Sequence, residues 1–311
     1  MSDAAAALRP VPRWLPFVYL VILGASWGLH FSYIKLAAES GLSYIGIAAV
    51  TTAGVTVLLV LTALIRRRLP VLDRAHLQFY FICALLAYVV PFLLELSSAA
   101  HLPASVLTLV VSSTPLFTVA LAIAFRSDTI SLRRLLGIVA GTASTALILV
   151  PAALGITGIP IFWVLVAFIV PLSYSADHIY IAKAWPQGSD SYQLGCGEAL
   201  LALAMLAPAY LWHGVSADLD VPFGVGHIAM MVMVGFALIE IFLYFEILRI
   251  AGPIFTSQTN FVTVVSGVVW AMIIFDERPN EWLWLSAALL GIALLIIATD
   301  GSRRARSQTP R

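Results

Sequence analysis

Ten apolar stretches, each long enough to cross a lipid bilayer, follow one another along this chain with only short connections between them. A transmembrane helix needs roughly 20 predominantly apolar residues, so a chain of 311 residues has room for ten such helices and little else. Only 11% of the residues are charged, whereas water-soluble domains carry roughly 25%. The sequence therefore predicts an all-α polytopic membrane protein. The predicted transmembrane helices are 15–37, 43–65, 76–97, 103–125, 132–153, 160–182, 192–213, 225–249, 254–275 and 281–299.

Positive charge is distributed unevenly between the two sides of this predicted bundle. Of the 17 Lys and Arg residues, only Lys35 and Arg278 fall on one side. Because short loops rich in positive charge stay in the cytoplasm, both termini are predicted to be cytoplasmic and the number of spans to be even. We therefore expect a multi-pass membrane protein, surrounded by the lipid bilayer.

The second half of the chain repeats features of the first. Pro103 recurs as Pro253 at an offset of 150, and Lys35 recurs as Lys183 at an offset of 148. Five predicted helices per half is an odd number, so the two halves must cross the membrane in opposite orientations. Inverted repeats around a central site are a recurring architecture of secondary transporters. The predicted repeats are 1–153 and 154–311, each with one terminal tail.

Several short motifs are typical of one family of transporters. They are Ser26-Trp27-Gly28 in helix 1, Pro115 in helix 4, Ala251-Gly252-Pro253, Gly267-Val268-Val269-Trp270, and Phe275-Asp276-Glu277-Arg278 before helix 10. With these motifs the chain resembles the drug/metabolite transporter superfamily, and within it the EamA family, to which the YddG-type amino-acid exporters belong. One departure is that Val265 stands at the offset of 150 from Pro115.

The resemblance implies a secondary transporter of a bacterial inner membrane that exports small polar metabolites, foremost amino acids, by alternating access. It implies neither enzymatic activity nor a cofactor. Two other functions stay open. One is transport of another metabolite or drug, such as a nucleoside or a cationic toxicant. The other is a non-transporting membrane protein, such as an intramembrane enzyme.

Polar side chains within the predicted spans are the candidates for a functional site, because a charge at the bilayer centre costs about 2.5–3.5 kcal/mol on insertion scales. Tyr174 and His178 are four residues apart and share one face of helix 6. The predicted substrate-binding residues are Trp27, His30, Tyr88, Ser112, Tyr174, His178, Tyr244, Gln258 and Thr263. The candidates for coupling transport to protons are Asp177, His178 and Glu240.

Each of these residues also has a purely structural interpretation. Trp27 and His30 could fill or hydrogen-bond within the core, and Asp177 could reach the cytoplasmic surface. Serine and threonine stripes on helices 4 and 9 suggest a common cavity, although hydroxyls also bond to carbonyls of their own helix. Glu95, Glu198 and Glu246 lie near predicted helix ends, where carboxylates can reach interfacial water.

Two glycine motifs need a structural context before they can be interpreted. Gly137-x-x-x-Gly141 indicates a close helix contact, either within the chain or in a homodimer. The segment from Gly24 to Gly28 matches the G-x-S-x-G pattern of serine hydrolases, but that motif needs a strand–turn–helix setting. The sequence contains neither a Walker A motif nor a metal-ligand cluster of standard spacing. Nothing in it indicates a nucleic-acid partner.

Overall fold

The computed structural model describes residues 14–124, 132–213, 215, 218, 220–256 and 259–308. Within these residues the chain forms ten long helices. They are α1 Leu15–Ala38, α2 Tyr44–Ile65, α3 Arg74–Ala99, α4 Ala104–Ala124, α5 Leu132–Ala153, α6 Ile161–Ala184, α7 Ser191–His213, α8 Val225–Thr256, α9 Thr259–Phe275 and α10 Glu281–Gln308.

The described helices α1 to α8 are each long and apolar enough to cross a membrane. The all-helical architecture is therefore confirmed. α9 and the apolar part of α10, Glu281–Ile297, are shorter apolar helices. The full set of ten spans, and its inverted repeat, stays a prediction.

The boundary between α8 and α9 was predicted wrongly. α8 was expected to end at residue 249 and α9 to begin at residue 254, but α8 continues through Pro253 to Thr256. Membrane helices tolerate an internal proline when neighbouring groups satisfy the freed carbonyl. The matching Pro103 behaves differently: it is the N-cap of α4, with an extended ψ of 143°. The repeated proline therefore does not mark the same helix boundary in both halves.

α4 is broken near its middle into the segments Ala104–Val111 and Thr114–Ala124. Pro115 has no N–H to donate to the carbonyl of Val111, so the α-helical ladder cannot run through it. The hydroxyl of Thr114 donates to this carbonyl instead, at 2.6 Å. α9, which carries Val265 in place of a proline, is continuous.

α3 contains a π-helical segment, Ala84–Val89, shortly before Pro91. A π turn holds one residue more than an α turn, and such turns occur frequently at functional sites. Ser173 of α6 donates a hydrogen bond to the carbonyl of Leu86 in this segment, at 2.7 Å. The irregular turn is thus fixed by a neighbouring helix.

The helices pack in a pattern that is preserved when each helix is exchanged for the one five places along the chain. α1 packs against α8 and α9, and α6 packs against α3 and α4. α2 packs against α7, α5 against α10, and α4 against α9. The strongest contacts therefore join the first five helices to the last five.

Glycines allow α1 to approach α9 closely. A Cβ at Gly28 would lie 2.6 Å from the backbone nitrogen of Gly267, and one at Gly24 would lie 2.5 Å from Val262 Cβ. The G-x-S-x-G pattern lies inside α1, so it lacks the setting that a hydrolase nucleophile needs. Its glycines serve helix packing.

The glycine pair of α5 also contacts residues of the same chain. A Cβ at Gly137 would meet the side chain of Ile297, and one at Gly141 would meet that of Leu116. The G-x-x-x-G motif is therefore used for internal packing. A homodimer stays a prediction without support from this motif.

Candidate functional site: a cavity between six helices

A cavity of about 340 Å³ lies among α1, α3, α4, α6, α8 and α9. These helices are the first, third and fourth of each predicted repeat. The predicted site residues that line it are Trp27, His30, Ser112, Tyr174, His178, Glu240 and Thr263. The sequence patterns did not select the remaining lining residues, which are Phe31, Glu95, Val111, Thr114 and Asn260.

Three other predicted residues lie outside this lining. Tyr88 packs against the cluster of Leu59 and Cys196, toward α2 and α7. Asp177 is only 4% exposed and lies on the helix face next to that of His178, because successive residues point roughly 100° apart around a helix. Tyr244 is 37% exposed. Their proposed roles stay predictions, and Gln258 lies outside the described residues.

Tyr88 and Glu95 have different surroundings although both lie on α3. Glu95 lines the cavity, whereas Tyr88, in the π segment Ala84–Val89, packs against the cluster of Leu59 and Cys196.

Glu95 is the most deeply buried carboxylate of the cavity, with 2% of its surface exposed. Its Oε1 accepts a hydrogen bond from the Tyr174 hydroxyl at 3.2 Å. Its Oε2 lies 4.0 Å from Nε2 of His30 and has no hydrogen-bond partner among the described residues. The prediction that Glu95 reaches interfacial water is wrong, because this side chain points into the bundle. Its spacing from the helix end gave no indication of that direction.

Glu240 of α8 is held differently. Ser26 of α1 donates a hydrogen bond to its Oε1 at 2.5 Å, which joins helices from the two halves.

Each half of the chain also contributes one histidine to the cavity lining. His30 and His178 both line the cavity and are separated by 148 residues, the same offset as Lys35 and Lys183.

The break in α4 opens into the cavity. Val111, Ser112 and Thr114 line it on either side of the break. Ser112 is 5% exposed, and its hydroxyl has no hydrogen-bond partner among the described residues. The second segment of α4, Thr114–Ala124, begins at this point. The helix dipole makes this end of the segment partly positive, although Leu116 and Phe117 already donate their N–H groups to the carbonyl of Ser113.

Aromatic and acidic groups dominate the cavity's remaining chemistry. Trp27, Phe31 and Tyr174 provide flat apolar walls. The Trp27 and Tyr244 rings lie 6.1 Å apart between centroids. The described lining includes two carboxylates and two histidines but no lysine or arginine. Such a lining favours positively charged or aromatic groups over simple anions.

A carboxylate ties the two halves together at the end of the bundle that is predicted to face outward. Glu277, between α9 and α10, accepts the backbone N–H groups of Ala104 and Ser105 at 2.6 and 3.1 Å. It also accepts the Ser105 hydroxyl at 2.5 Å. Glu277 thereby caps the first turn of α4, where the helix dipole favours negative charge.

Lys35, near the end of α1, makes a second set of contacts at the same end of the bundle. Its ammonium donates to the carbonyls of Ala99 and Leu102 at 3.2 and 3.0 Å. It also pairs with Glu39 at 2.7 Å and lies 5.6 Å from the ring centroid of Phe275. The charge is therefore satisfied at the junction of α3 and α4.

At the opposite end, the connections α2–α3 and α6–α7 are joined. Arg68 pairs with Asp190 at 3.5 Å. Gln193 donates to the carbonyl of Leu69 at 2.9 Å. Both ends of the bundle thus carry polar contacts between the two halves.

Residues 14–150 match the model of the EamA-like transporter family. The match spans α1 to nearly the end of α5, so the similarity to this family covers the first predicted repeat, where Ser26-Trp27-Gly28 and Pro115 lie. A comparison of the sequence with curated proteins finds no match. A solved crystal structure of another protein aligns with 90% of this chain and 98% of its own, with a TM-score of 0.61 and 17% identity. At that identity the similarity concerns the fold alone.

Proposed function

We propose that this protein is a secondary transporter that exports small polar metabolites, foremost amino acids, across a bacterial inner membrane by alternating access. The proposal rests mainly on the cavity where six helices meet, three from each half. In inverted-repeat transporters, the substrate site lies near the midplane at the interface of the repeats. The EamA-like match of residues 14–150 supports the same function.

The helix packing supports an inverted repeat with ten spans. Exchange of the two sets of five helices turns the contacts of α1 with α8 and α9 into those of α6 with α3 and α4. An approximate two-fold relation between the halves produces such a pattern. Because each half has five helices, that relation places the halves in opposite orientations across the membrane.

The broken helix α4 supports a substrate site rather than a merely structural cavity. Irregular backbone at membrane depth is tolerated where it is buried in protein or lines a water-filled cavity. Discontinuous helices form the substrate sites of many transporters. In this chain the break lies at Ser112, which lines the cavity.

The alternative substrate is a cationic toxicant. The presence of two carboxylates and the absence of lysine or arginine in the described lining favour it. Trp27 could hold a cation against its ring, a contact worth about 0.5–2 kcal/mol. Amino acids and cations are therefore tested side by side.

Proton coupling is proposed for the acidic and imidazole groups near the cavity. His178 and Glu240 line it, and Asp177 lies on the neighbouring face of α6. Ionisable residues inside membrane proteins commonly form proton relays. We expect a pH gradient to drive flux in the wild type and Glu240→Gln to reduce that stimulation. Wild-type flux that ignores the gradient would exclude coupling.

The transport proposal is tested with purified protein in proteoliposomes preloaded with unlabelled amino acid. Radiolabelled amino acid should accumulate transiently by counterflow. Trp27→Phe and Tyr174→Phe should fold normally but shift the concentration dependence of transport. Trp284→Phe is the matched control, because Trp284 is 49% exposed and lies outside the cavity. Absence of counterflow for every amino acid and every organic cation tested would refute the function.

A further inference from the structure

We infer that the cavity binds a zwitterionic amino acid at two separate poles, with the substrate ammonium on Glu95 and its carboxylate at the break in α4 beside Ser112. This inference rests on the proposed transport function and specifies the chemistry of its site. It follows from two buried polar atoms, Oε2 of Glu95 and the hydroxyl oxygen of Ser112, which have no hydrogen-bond partner among the described residues.

Glu95 provides the negative pole. One carboxylate oxygen accepts the Tyr174 hydroxyl at 3.2 Å. The other is buried without a hydrogen-bond partner among the described residues. A buried polar group without a partner is costly, and the cost is removed when a ligand donates a hydrogen bond. An ammonium group offers three N–H donors.

Glu240 is the less suitable anchor, because Ser26 already donates to it at 2.5 Å and links α1 to α8. Glu95 lines the cavity, and its Oε2, 4.0 Å from His30 Nε2, has no hydrogen-bond partner among the described residues. The titratable groups closest to Glu95 from other helices are Tyr174 and His30, and His178 also lines the cavity. None of these side chains carries a permanent positive charge that would occupy the carboxylate.

The break in α4 provides the positive pole. Ser112 lines the cavity and has a buried hydroxyl without a partner among the described residues. After Ser113, the 11-residue segment Thr114–Ala124 begins, and its N-terminal end lies next to Ser112 in the chain. Helix N-termini bind carboxylates through their N–H groups and their dipole. Pro115 has no N–H, and the N–H groups of Leu116 and Phe117 bond to the carbonyl of Ser113. The Ser112 hydroxyl is therefore the donor offered to the anionic group, and the positive end of the helix dipole favours the negative charge beside it.

The two poles distinguish three classes of ligand. A simple anion would meet Glu95 and Glu240 without a compensating cation. A simple amine would satisfy Glu95 but leave Ser112 without a partner. A zwitterion satisfies both groups. Its side chain would contact the aromatic wall of Trp27 and Phe31.

The test compares leucine with its two truncated forms. These are 3-methylbutylamine, which lacks the carboxylate, and 4-methylpentanoate, which lacks the ammonium. Binding to the purified protein is measured by calorimetry. We expect leucine to bind most tightly, the amine less tightly, and the carboxylic acid weakest. Matched sets built on alanine and phenylalanine are measured alongside, so that side-chain size does not decide the result.

Two variants assign the poles. Glu95→Gln should weaken leucine and the amine by roughly 10- to 100-fold, the range expected for hydrogen bonds to charged groups, and should leave 4-methylpentanoate unchanged or improved. Ser112→Ala should weaken leucine but not the amine. The matched controls are Glu198→Gln, a membrane-helix carboxyl outside the cavity, and Ser32→Ala, a buried serine hydroxyl without a partner in the described structure. Both should bind like the wild type.

Several outcomes would overturn the inference. One is equal binding of leucine and 4-methylpentanoate by the wild type, and another is unchanged binding of leucine by Glu95→Gln. If a variant fails to fold, the ranking of the affinities of the wild type for the three ligands still tests the inference. Counterflow in the same preparation separates the two proposals. Transport that persists in Glu95→Gln with wild-type affinity would refute the two-pole binding site but not the transport function. The absence of both binding and flux in every series would refute both proposals.

Discussion

Removal of the Glu277 carboxylate should release the end of the bundle that is predicted to face outward. This carboxylate accepts hydrogen bonds from two backbone N–H groups and one hydroxyl at the start of α4. It belongs to the second half of the chain, and α4 belongs to the first. In a transporter that alternates its access, the cavity can open at this end only if the two halves part there.

The magnitude follows from burial at the start of α4. Ala104 and Ser105 are 0% and 1% exposed, so Glu277→Ala leaves two buried N–H groups without their acceptor. A buried donor that loses its partner costs about 1–3 kcal/mol, and loss of a helix N-cap costs about 0.5–2 kcal/mol. In an opened conformation water can reach these groups, so the penalty falls mainly on the closed one. A net shift of about 2 kcal/mol changes the ratio of the two conformations roughly 30-fold.

The assay measures access to the cavity from outside. A cysteine introduced at Ser112 is labelled in whole cells by a membrane-impermeant thiol reagent. The native Cys83 and Cys196 are buried, and the parent protein without the new cysteine gives the background. Labelling should be roughly 30-fold faster with Glu277→Ala but unchanged with Glu281→Gln, an exposed carboxylate nearby. Unchanged labelling in a folded Glu277→Ala protein would refute the idea that this contact holds the outer end closed.

Three other predictions test packing, topology and the helix break. Gly28→Val should lower the melting temperature and folded yield through overpacking worth about 1–3 kcal/mol, whereas Gly195→Ala, in open space, should not; equal yields measured by fluorescence size exclusion would contradict the close contact of α1. Cysteines at Ser2 and at Asp220 should be labelled from opposite sides of the membrane, the first only from the cytoplasm, and labelling from the same side would reject the predicted orientation. Pro115→Ala should restore the helical ladder of α4 and slow counterflow at unchanged expression. A wild-type rate of counterflow would show that transport does not depend on the break.

The helices were readily predictable. A membrane-spanning segment is surrounded by apolar lipid and must satisfy its backbone hydrogen bonds internally, so it forms a helix from a long apolar run. The difference between Pro103 and Pro253 was not predictable from the repeat. Proline removes one donor in both places, but whether the helix ends there depends on its neighbours. Pro103 caps α4, while α8 passes through Pro253. The repeated proline therefore predicted a helix near each position but not where that helix begins or ends.

The cavity was partly predictable for a different reason. Spacing identifies residues that share a helix face, and Tyr174 with His178 followed this rule into the cavity. Spacing does not say which neighbour a face meets, so Glu95 was assigned to the interface. The π segment Ala84–Val89 was not predicted from the sequence either. A local signal for it existed in Pro91, whose missing N–H disturbs the ladder one turn earlier.

The two halves share their packing pattern but differ where the substrate poles are proposed. His30 and His178 are related by the same offset as Lys35 and Lys183. If the two halves exchanged their conformations, each histidine would take the position of the other. The break at Pro115 has no such partner, because Val265 leaves α9 continuous. A carboxylate held at α4 would therefore stay with the first half in both conformations. A substrate anchored by Glu95 and Ser112 would then stay with the first half, and the second half would change its position around it.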